Sequence, residues 1–216
     1  MHEYHNVSAD GNCFYTALLE ACGTMDIDLV GSLAIGTQRD TIDTNADSAG
    51  TQQLRTYVAD QLERDPTMLN NLYDVLQTCP RLKLSYPLAR DFEKDMPLSK
   101  FASSCINAVR ELDVWASEVE HTLMRDVLRQ HKIDLITCSI TRPSELRRYH
   151  NVEETMLQLA QLSLQPFCIV LINLNHQHYL YMSLTERGII QRGRLIKYLQ
   201  RYLASCYEEE ELEEQS

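Results

Sequence analysis

Apolar residues recur at helical spacing through the first part of the chain. The stretch from Cys13 to Cys22 predicts a first helix, which Gly23 ends. Residues 23–50 are rich in Thr, Asp, Gly and Ser with weak periodicity, so we expect a loop there. Further helices are predicted at Leu54–Leu62, at Pro66–Leu76 with Asp65 as its N-cap, and at Leu98–Val109.

The pattern changes beyond Trp115, where short apolar runs alternate with helical patterns. Phe167–Leu174 is apolar on both faces, which indicates a central strand, and Tyr179–Leu184 follows after a polar turn as its hairpin partner. The other segments are, in order, a helix at Val119–Leu128, a strand at Ile133–Ile140, a helix at Val152–Leu162 and a helix at Leu195–Cys206. This order predicts an α+β (mixed α/β) fold with a small central sheet flanked by helices.

The charge balance narrows the function classes. The chain has 216 residues with 20 basic and 31 acidic side chains, a formal charge of −11. This balance argues against a nucleic-acid binder, because phosphates require a basic face. Six glutamates lie between Glu208 and Glu214, and without them 25 acidic side chains stand against 20 basic ones. We expect residues 208–216 to form a solvated acidic tail.

No segment predicts secretion or membrane insertion. The first fifteen residues lack the basic and apolar regions of a secretory signal peptide, and no apolar run is long enough to span a bilayer. Seven cysteines show no metal-finger spacing, so we expect free thiols in a reducing compartment, with Cys105, Cys138 and Cys168 in the core. The expected place of action is the cytosol, including a host cytosol reached by signal-independent export.

The turn Asp10-Gly11-Asn12, followed by Cys13, is the clearest candidate for chemistry. A thiol in the first turn of a helix lies at the positive end of the helix dipole, which favours the nucleophilic thiolate. We expect the N–H groups of Gly11, Asn12 and Cys13 to converge on one point as an oxyanion hole, and the Asp10 carboxylate to hold the loop. A buried cysteine at an ordinary helix start is the alternative.

A cysteine nucleophile needs a base that takes its proton and later protonates the leaving amine. His178 is the best candidate because it opens a strand that can fix its ring; an ordinary strand-end histidine is the alternative. We expect His2 and His5 at a flexible N-terminus, and His121 on the surface or half-buried. His176 and His178 could pair on a metal, but no third ligand is evident, so no metal and no cofactor is expected.

Three stretches together resemble the ovarian-tumour (OTU) family of cysteine proteases, most of which are deubiquitinases. Asp10-Gly11-Asn12-Cys13-Phe14-Tyr15 is similar to the family's catalytic loop and helix start. Trp115-Ala116-Ser117-Glu118-Val119-Glu120 looks like its W-G-G-x-x-E-type segment, with Ala and Ser in place of the glycines. His178-Tyr179 looks like its histidine segment. Three stretches in the family's order are more specific than any one alone.

The resemblance implies a papain-like OTU fold with Cys13 as nucleophile, His178 as general base and acid, and Asp10 as the carboxylate that organises the loop. Many members of the family place Asp or Asn two residues after the histidine, where this chain has Leu180. The residue that orients the His178 ring is therefore open. The candidates are Asn173, Asn175, Asp10 and an N-terminal residue.

The distance between the first two stretches is a second departure from the family. Cys13 and Trp115 are separated by 101 residues, more than in compact members. The surplus corresponds to the helical patterns at about residues 50–110, similar to the inserted helical lobe of OTU-type effector deubiquitinases of intracellular bacteria (the Lot group). We expect this lobe to help bind ubiquitin; a plain structural elaboration is the alternative.

The expected function is therefore that of a thiol-dependent deubiquitinase, with residues 1–216 forming a single, monomeric OTU-like catalytic domain. Its partners would be ubiquitin and polyubiquitin chains, and its setting that of a bacterial virulence effector. Two other functions remain open. A catalytically idle OTU-like module would bind ubiquitin or a host protein without cleavage, and a cysteine protease for another substrate would leave ubiquitin chains intact.

Overall fold

The computed structural model describes residues 2–8, 10–23, 46–112, 114–140, 150–174, 178–184 and 188–214. The chain divides into two compact units. The sheet unit comprises Met1–Val7, Glu20–Ile27 and Val127–Ser216, and the helical unit comprises Ser8–Leu19 and Asp28–Asp126. The presence of helices together with a mixed sheet confirms the predicted α+β class.

The helical unit is built from the segments in which apolar residues recur at helical spacing. Its elements are α1 (Cys13–Gly23), α2 (Ala46–Arg64), α3 (Thr67–Thr78), the 3₁₀ turns Pro80–Ser85 and Pro87–Ala89, α4 (Leu98–Arg110) and α5 (Glu118–Gln130). The last residues of α1 and of α5 are counted with the sheet unit. The helices predicted before Trp115 are thus confirmed.

Local chemistry sets the ends of α3. Pro66 occupies the N-cap, one position earlier than the predicted first turn, and the Asp65 carboxylate accepts a hydrogen bond from the Thr67 N–H at 3.1 Å. The helix ends at Thr78, and the Cys79 N–H donates to the carbonyl of Val75 at 2.8 Å. The following Pro80 has no N–H and cannot continue the helical ladder.

The sheet unit contains a mixed five-stranded sheet. Its elements are β1 (His2–Asn6), β2 (Ile133–Ile140), α6 (His150–Leu162), β3 (Phe167–Leu174), β4 (His178–Leu184), β5 (Ile189–Gln191) and α7 (Arg192–Glu214). The strand order is β1-β4-β3-β2, with β5 also paired to β3. Only the β2–β3 pair is parallel among the described strands, and α6 connects its two members in the chain. The central position predicted for Phe167–Leu174 is confirmed.

The core of the sheet unit lies where β2, β3 and β4 meet α6 and α7. Met156 and Ala160 of α6 and Leu195 and Leu199 of α7 are fully buried there. Cys138 and Cys168 belong to the same core. These two cysteines, and Cys105 in the helical unit, are buried as predicted.

The N-terminal strand β1 was not predicted. His2 and His5, which we expected at a flexible N-terminus, lie on this strand, and β1 pairs antiparallel with β4. The His5 ring stacks on Tyr181 with ring centres 4.6 Å apart, and its Nε2 lies 2.6 Å from Ser183 Oγ. The expectation was wrong because aromatic and polar cross-strand contacts, rather than aliphatic residues, hold this strand.

Two further boundaries differ from the sequence prediction. Residues 24–45 of the predicted loop lie outside the described part of the chain, but Ala46–Gly50 already belong to α2. At the other end, α7 continues through the glutamate run to Glu214, beyond the predicted end near Cys206. That residues 208–216 form a solvated acidic tail stays a prediction. Among the helices that the structure describes, none has the length and apolar character needed to cross a membrane.

Candidate active site

Cys13 is the first residue of α1 and directly follows the turn at Asp10–Asn12. The Asn12 N–H donates to Oδ1 of Asp10 at 2.8 Å, and the Cys13 N–H donates to the Asp10 carbonyl at 3.2 Å. The Thr16 N–H then donates to the Asn12 carbonyl at 3.0 Å and begins the helical ladder. The Asp10 side chain thus accepts an amide hydrogen bond within this loop, as expected; that it organises the loop for catalysis stays a prediction.

The same bonds bear on the predicted oxyanion hole. The N–H groups of Asn12 and Cys13, which we expected to converge on one outside point, already donate to Asp10. An oxyanion would have to share these donors with Asp10 or take them over. The assignment of Gly11, Asn12 and Cys13 to an oxyanion hole therefore stays a prediction.

Arg55, on α2, contacts this turn, and the sequence analysis did not identify it. Its Nη2 donates to the Gly11 carbonyl at 2.6 Å, and its Nε donates to Oδ1 of Asn12 at 3.0 Å. The sequence carried a signal for it. Arg55 lies on the same helical stripe as Val58, Ala59 and Leu62, so a charged residue occupies a core position.

The stretch that opens α5 forms a reciprocal cap. The Val119 N–H donates to Ser117 Oγ at 3.3 Å, while the Ser117 N–H donates to Oε2 of Glu120 at 2.8 Å. Ser117 Oγ donates to the same carboxylate oxygen at 2.5 Å. This is the Ser-x-x-Glu capping box, which the sequence displays but which we did not use as a signal. Burial raises the pKa of the Glu120 carboxyl above its ordinary value, and the Ser117 hydrogen bonds oppose that rise.

His121 is buried, contrary to the expectation of a surface or half-buried residue. Its ring lies against Phe14, with ring centres 4.4 Å apart, and its Nδ1 lies 3.6 Å from Oε2 of Glu118. The expectation failed because α5 presents this position to α1 rather than to solvent. Phe14, the residue next to Cys13, is therefore packed against α5.

His178, the first residue of β4, belongs to the sheet unit. Its Nε2 lies 2.6 Å from the side-chain amide oxygen of Asn6 on β1. A ring nitrogen that faces an amide oxygen carries the hydrogen, so a neutral His178 ring has its lone pair on Nδ1. Asn6 is an N-terminal residue, one of the classes left open above. Asn173, another candidate, instead donates through Nδ2 to the Tyr179 hydroxyl at 2.9 Å.

The structure thus brings the predicted site residues together in two groups. Asp10, Gly11, Asn12 and Cys13 form one group in the helical unit, and Arg55 joins them. His178 forms the other group with Asn6 in the sheet unit. Asn175 and His176 lie outside the described residues. In the described part of the chain, no three His, Cys, Asp or Glu side chains come together in a way that could hold a metal ion.

Four other cysteines have thiols that are poorly suited to nucleophilic chemistry. Burial raises their thiol pKa values to about 12, which leaves almost no thiolate at neutral pH. These residues are Cys22, Cys105, Cys138 and Cys168. Cys13 is buried as well, with 1% of its surface exposed, so it differs from these four by its position at the start of α1 and not by its exposure. The chain matches no protein-family model and no curated protein with which we compared it.

Proposed function

We propose that the protein is a thiol-dependent deubiquitinase that cleaves ubiquitin from conjugates or from polyubiquitin chains. The observation that carries this proposal is the position of Cys13, as the first residue of α1 behind a turn that Asp10 closes. The first N–H groups of a helix and its dipole favour negative charge, and thus the thiolate form of a cysteine at this position. The resemblance of three stretches to the OTU family supplies the substrate class.

The proposed reaction follows the general course of thiol proteases. The Cys13 thiolate attacks the carbonyl carbon of ubiquitin's C-terminal glycine, and the C–N bond to the substrate lysine then breaks as His178 gives a proton to the departing amine. Water hydrolyses the resulting thioester, which releases the ubiquitin carboxylate and restores the thiol. The mechanism requires Nδ1 of His178 to reach the sulfur of Cys13.

The contact between His178 and Asn6 supports this assignment of roles. The Asn6 amide oxygen accepts from Nε2, which leaves Nδ1 as the nitrogen able to accept the thiol proton. Cysteine, histidine and asparagine are also the residue types of papain-like proteases. We assign Asp10 to the loop rather than to the ring, because its carboxylate accepts from the Asn12 amide.

The proposal extends to the setting of the reaction. An acidic protein complements the arginines that precede the C-terminal glycines of ubiquitin, which should speed their encounter at low salt. We further propose a monomer that acts in the cytosol as a bacterial effector of the Lot type, with residues 50–110 contributing to ubiquitin binding. No cofactor is needed for the chemistry.

A ubiquitin with a C-terminal thiol-reactive group tests the proposal. The wild type should form a covalent adduct, and peptide mass spectrometry should locate it on Cys13. Cys13→Ala should form none, while Cys22→Ala, which removes a buried thiol of the same helix, should react like the wild type. No adduct with the wild type, or an equal adduct with Cys13→Ala, would refute the proposal.

The same probe, together with digestion of ubiquitin chains and of other peptides, separates the other two functions. An idle ubiquitin-binding module would bind the probe without forming an adduct. A protease for a different substrate would leave ubiquitin chains intact and cleave another peptide through Cys13.

A further inference from the structure

Arg55 is the largest side chain that the structure buries completely among the described residues, at 0% exposure. Arginine is almost never fully buried unless its charge and donors are satisfied, because an unsolvated cation is costly. Its guanidinium also lies over the ring of Tyr15, 4.7 Å from the ring centre. This contact with an aromatic face helps to stabilise the buried charge.

The guanidinium joins the Cys13 turn to the last turn of α4 and to the segment between α4 and α5. On one side, Nη1 donates to the Val109 carbonyl at 2.9 Å, and Nη2 donates to the Val114 carbonyl at 2.6 Å. On the other side, Nη2 and Nε donate to Gly11 and Asn12. The planar fork of arginine donors can serve carbonyls that lie in different directions at once, whereas a lysine ammonium cannot span them.

The peptide between Gly11 and Asn12 is held from both of its ends. Its carbonyl oxygen accepts from Arg55 at 2.6 Å, and its N–H donates to the Asp10 carboxylate at 2.8 Å. A peptide plane fixed at both oxygen and nitrogen cannot rotate without losing a charge-assisted hydrogen bond on each side. The next peptide carries the N–H of Cys13, so the rotation of this plane sets the backbone from which the thiol projects.

We propose that Arg55 is a positioning residue for the thiol chemistry, which it supports by locking the Gly11–Asn12 peptide and the Asn12 side chain into one arrangement. Because this role is defined for the reaction at Cys13, it rests on the function proposed above. It makes one prediction that needs no substrate: the order of the turn depends on Arg55. It makes a second that needs the chemistry: the rate of attack by Cys13, rather than ubiquitin binding, depends on Arg55.

The test compares Arg55→Lys with Met124→Ala. Arg55→Lys keeps the positive charge but loses the fork, while Met124→Ala empties a buried position of the same unit and loses stability without removing any of these hydrogen bonds. Hydrogen exchange should become about tenfold faster in peptides covering residues 10–16 of Arg55→Lys, the factor that one ordinary hydrogen bond contributes. Met124→Ala, at a temperature where it is folded to the same extent, should leave this exchange unchanged.

The second readout is the reaction with the ubiquitin electrophile. The maximal labelling rate of Arg55→Lys should fall about a hundredfold, as expected for a misplaced nucleophile, while the probe concentration at half-maximal rate stays unchanged. A purely structural role would lower the fraction of protein that labels and leave the rate of the labelled fraction alone. That outcome, or wild-type exchange in the turn, would overturn the proposal.

Two further measurements test the role of Arg55 if the first ones fail. If Arg55→Lys does not fold, Asn12→Ala removes only the bond to Nε and should accelerate exchange and slow labelling in the same way, by a smaller factor; no change in either would overturn the role. If the wild type itself does not label, the proposed function fails, while exchange in the turn still decides whether Arg55 orders it.

Discussion

Asn6 on β1 and His178 on β4 meet through the Asn6 amide oxygen and His178 Nε2, 2.6 Å apart. In the register of the two strands, Asn6 lies directly opposite Leu180. Directly opposed residues share one face of a sheet, and Leu180 and His178, two positions apart on β4, lie on the same face. The residue that contacts the His178 ring therefore lies on the neighbouring strand β1, opposite Leu180.

Asn6→Ala should slow ubiquitin cleavage while leaving the fold intact. Without Asn6, the hydrogen of the His178 ring would no longer be held on Nε2. The loss of rate should be smaller than the contribution of a positioned general base, which is about 10²- to 10⁴-fold. Asn6→Asp should retain most activity, because it keeps an oxygen acceptor. The measurement is kcat/KM on a fluorogenic ubiquitin substrate, with Glu3→Ala on the same strand as the control.

Moving the asparagine gives a stricter test of the same contact. In the Asn6→Ala background, Leu180→Asn places an amide directly opposite position 6 and two residues after His178, and kcat/KM should recover in part. If Asn6→Ala cleaves at the wild-type rate, or if the double variant is no better than Asn6→Ala, Asn6 does not orient His178.

Ser117→Ala should destabilise the protein by about 1–3 kcal/mol, because it removes an N-cap and one donor to a buried carboxylate. Ser103→Ala provides the matched control. Ser103 is exposed within α4, where alanine is a better helix former, so its substitution should be neutral or slightly stabilising. Urea unfolding gives both free energies, and equal values for the two variants would show that the capping box contributes nothing.

The raised pKa of the Glu120 carboxyl predicts that the stability of the protein depends on pH. Since burial raises its folded-state pKa above the ordinary value of 4.5, the folded state keeps the proton longer than the unfolded state. The stability that this proton provides is full below about pH 4.5 and is lost as pH rises through the folded-state pKa. Glu120→Gln keeps the oxygen acceptor but cannot ionise. The difference in unfolding free energy, wild type minus variant, should therefore fall as pH rises from below 4.5 toward 7.

Glu118→Gln is the control with the opposite sign. The hydrogen bond to His121 lowers the pKa of the Glu118 carboxyl, so its stabilisation exists above its unfolded-state pKa and is lost as pH falls through the folded-state pKa. The difference between wild type and this variant should rise with pH. Parallel slopes for the two variants would contradict the assignment for Glu120.

The buried thiols predict a selective alkylation pattern. At pH 7.5, iodoacetamide should leave Cys22, Cys105, Cys138 and Cys168 unmodified in the folded protein, because burial raises their thiol pKa values to about 12. In urea all four should react. Peptide mass spectrometry measures both states. Rapid modification of any of the four without denaturant would show that its surroundings open readily.

The sequence was informative where the signal is local. The turn at Asp10–Asn12 and the helix that begins at Cys13 follow from residues that are neighbours in the chain. The central strand Phe167–Leu174 follows from its apolar character on both faces. The Ser117 cap was equally local, so its signal was readable although we did not use it.

The contacts that the sequence did not specify join residues far apart in the chain. Asn6 reaches His178 only because β1 pairs with β4, and β1 carries no aliphatic pattern that predicts a strand. Arg55 is separated from Gly11 by 44 positions, and only the packing of α2 brings its guanidinium to the turn. Spacing within one segment does not report such contacts.

The central claim is that Cys13 cleaves isopeptide bonds to ubiquitin. The most direct measurement is a time course of digestion of the eight diubiquitin linkages by the wild type, Cys13→Ala and Cys22→Ala. We expect the wild type and Cys22→Ala to convert at least one linkage to monoubiquitin, and Cys13→Ala to convert none. If all eight linkages remain intact with the folded wild type after prolonged incubation, or if Cys13→Ala cleaves as fast as the wild type, the claim is wrong.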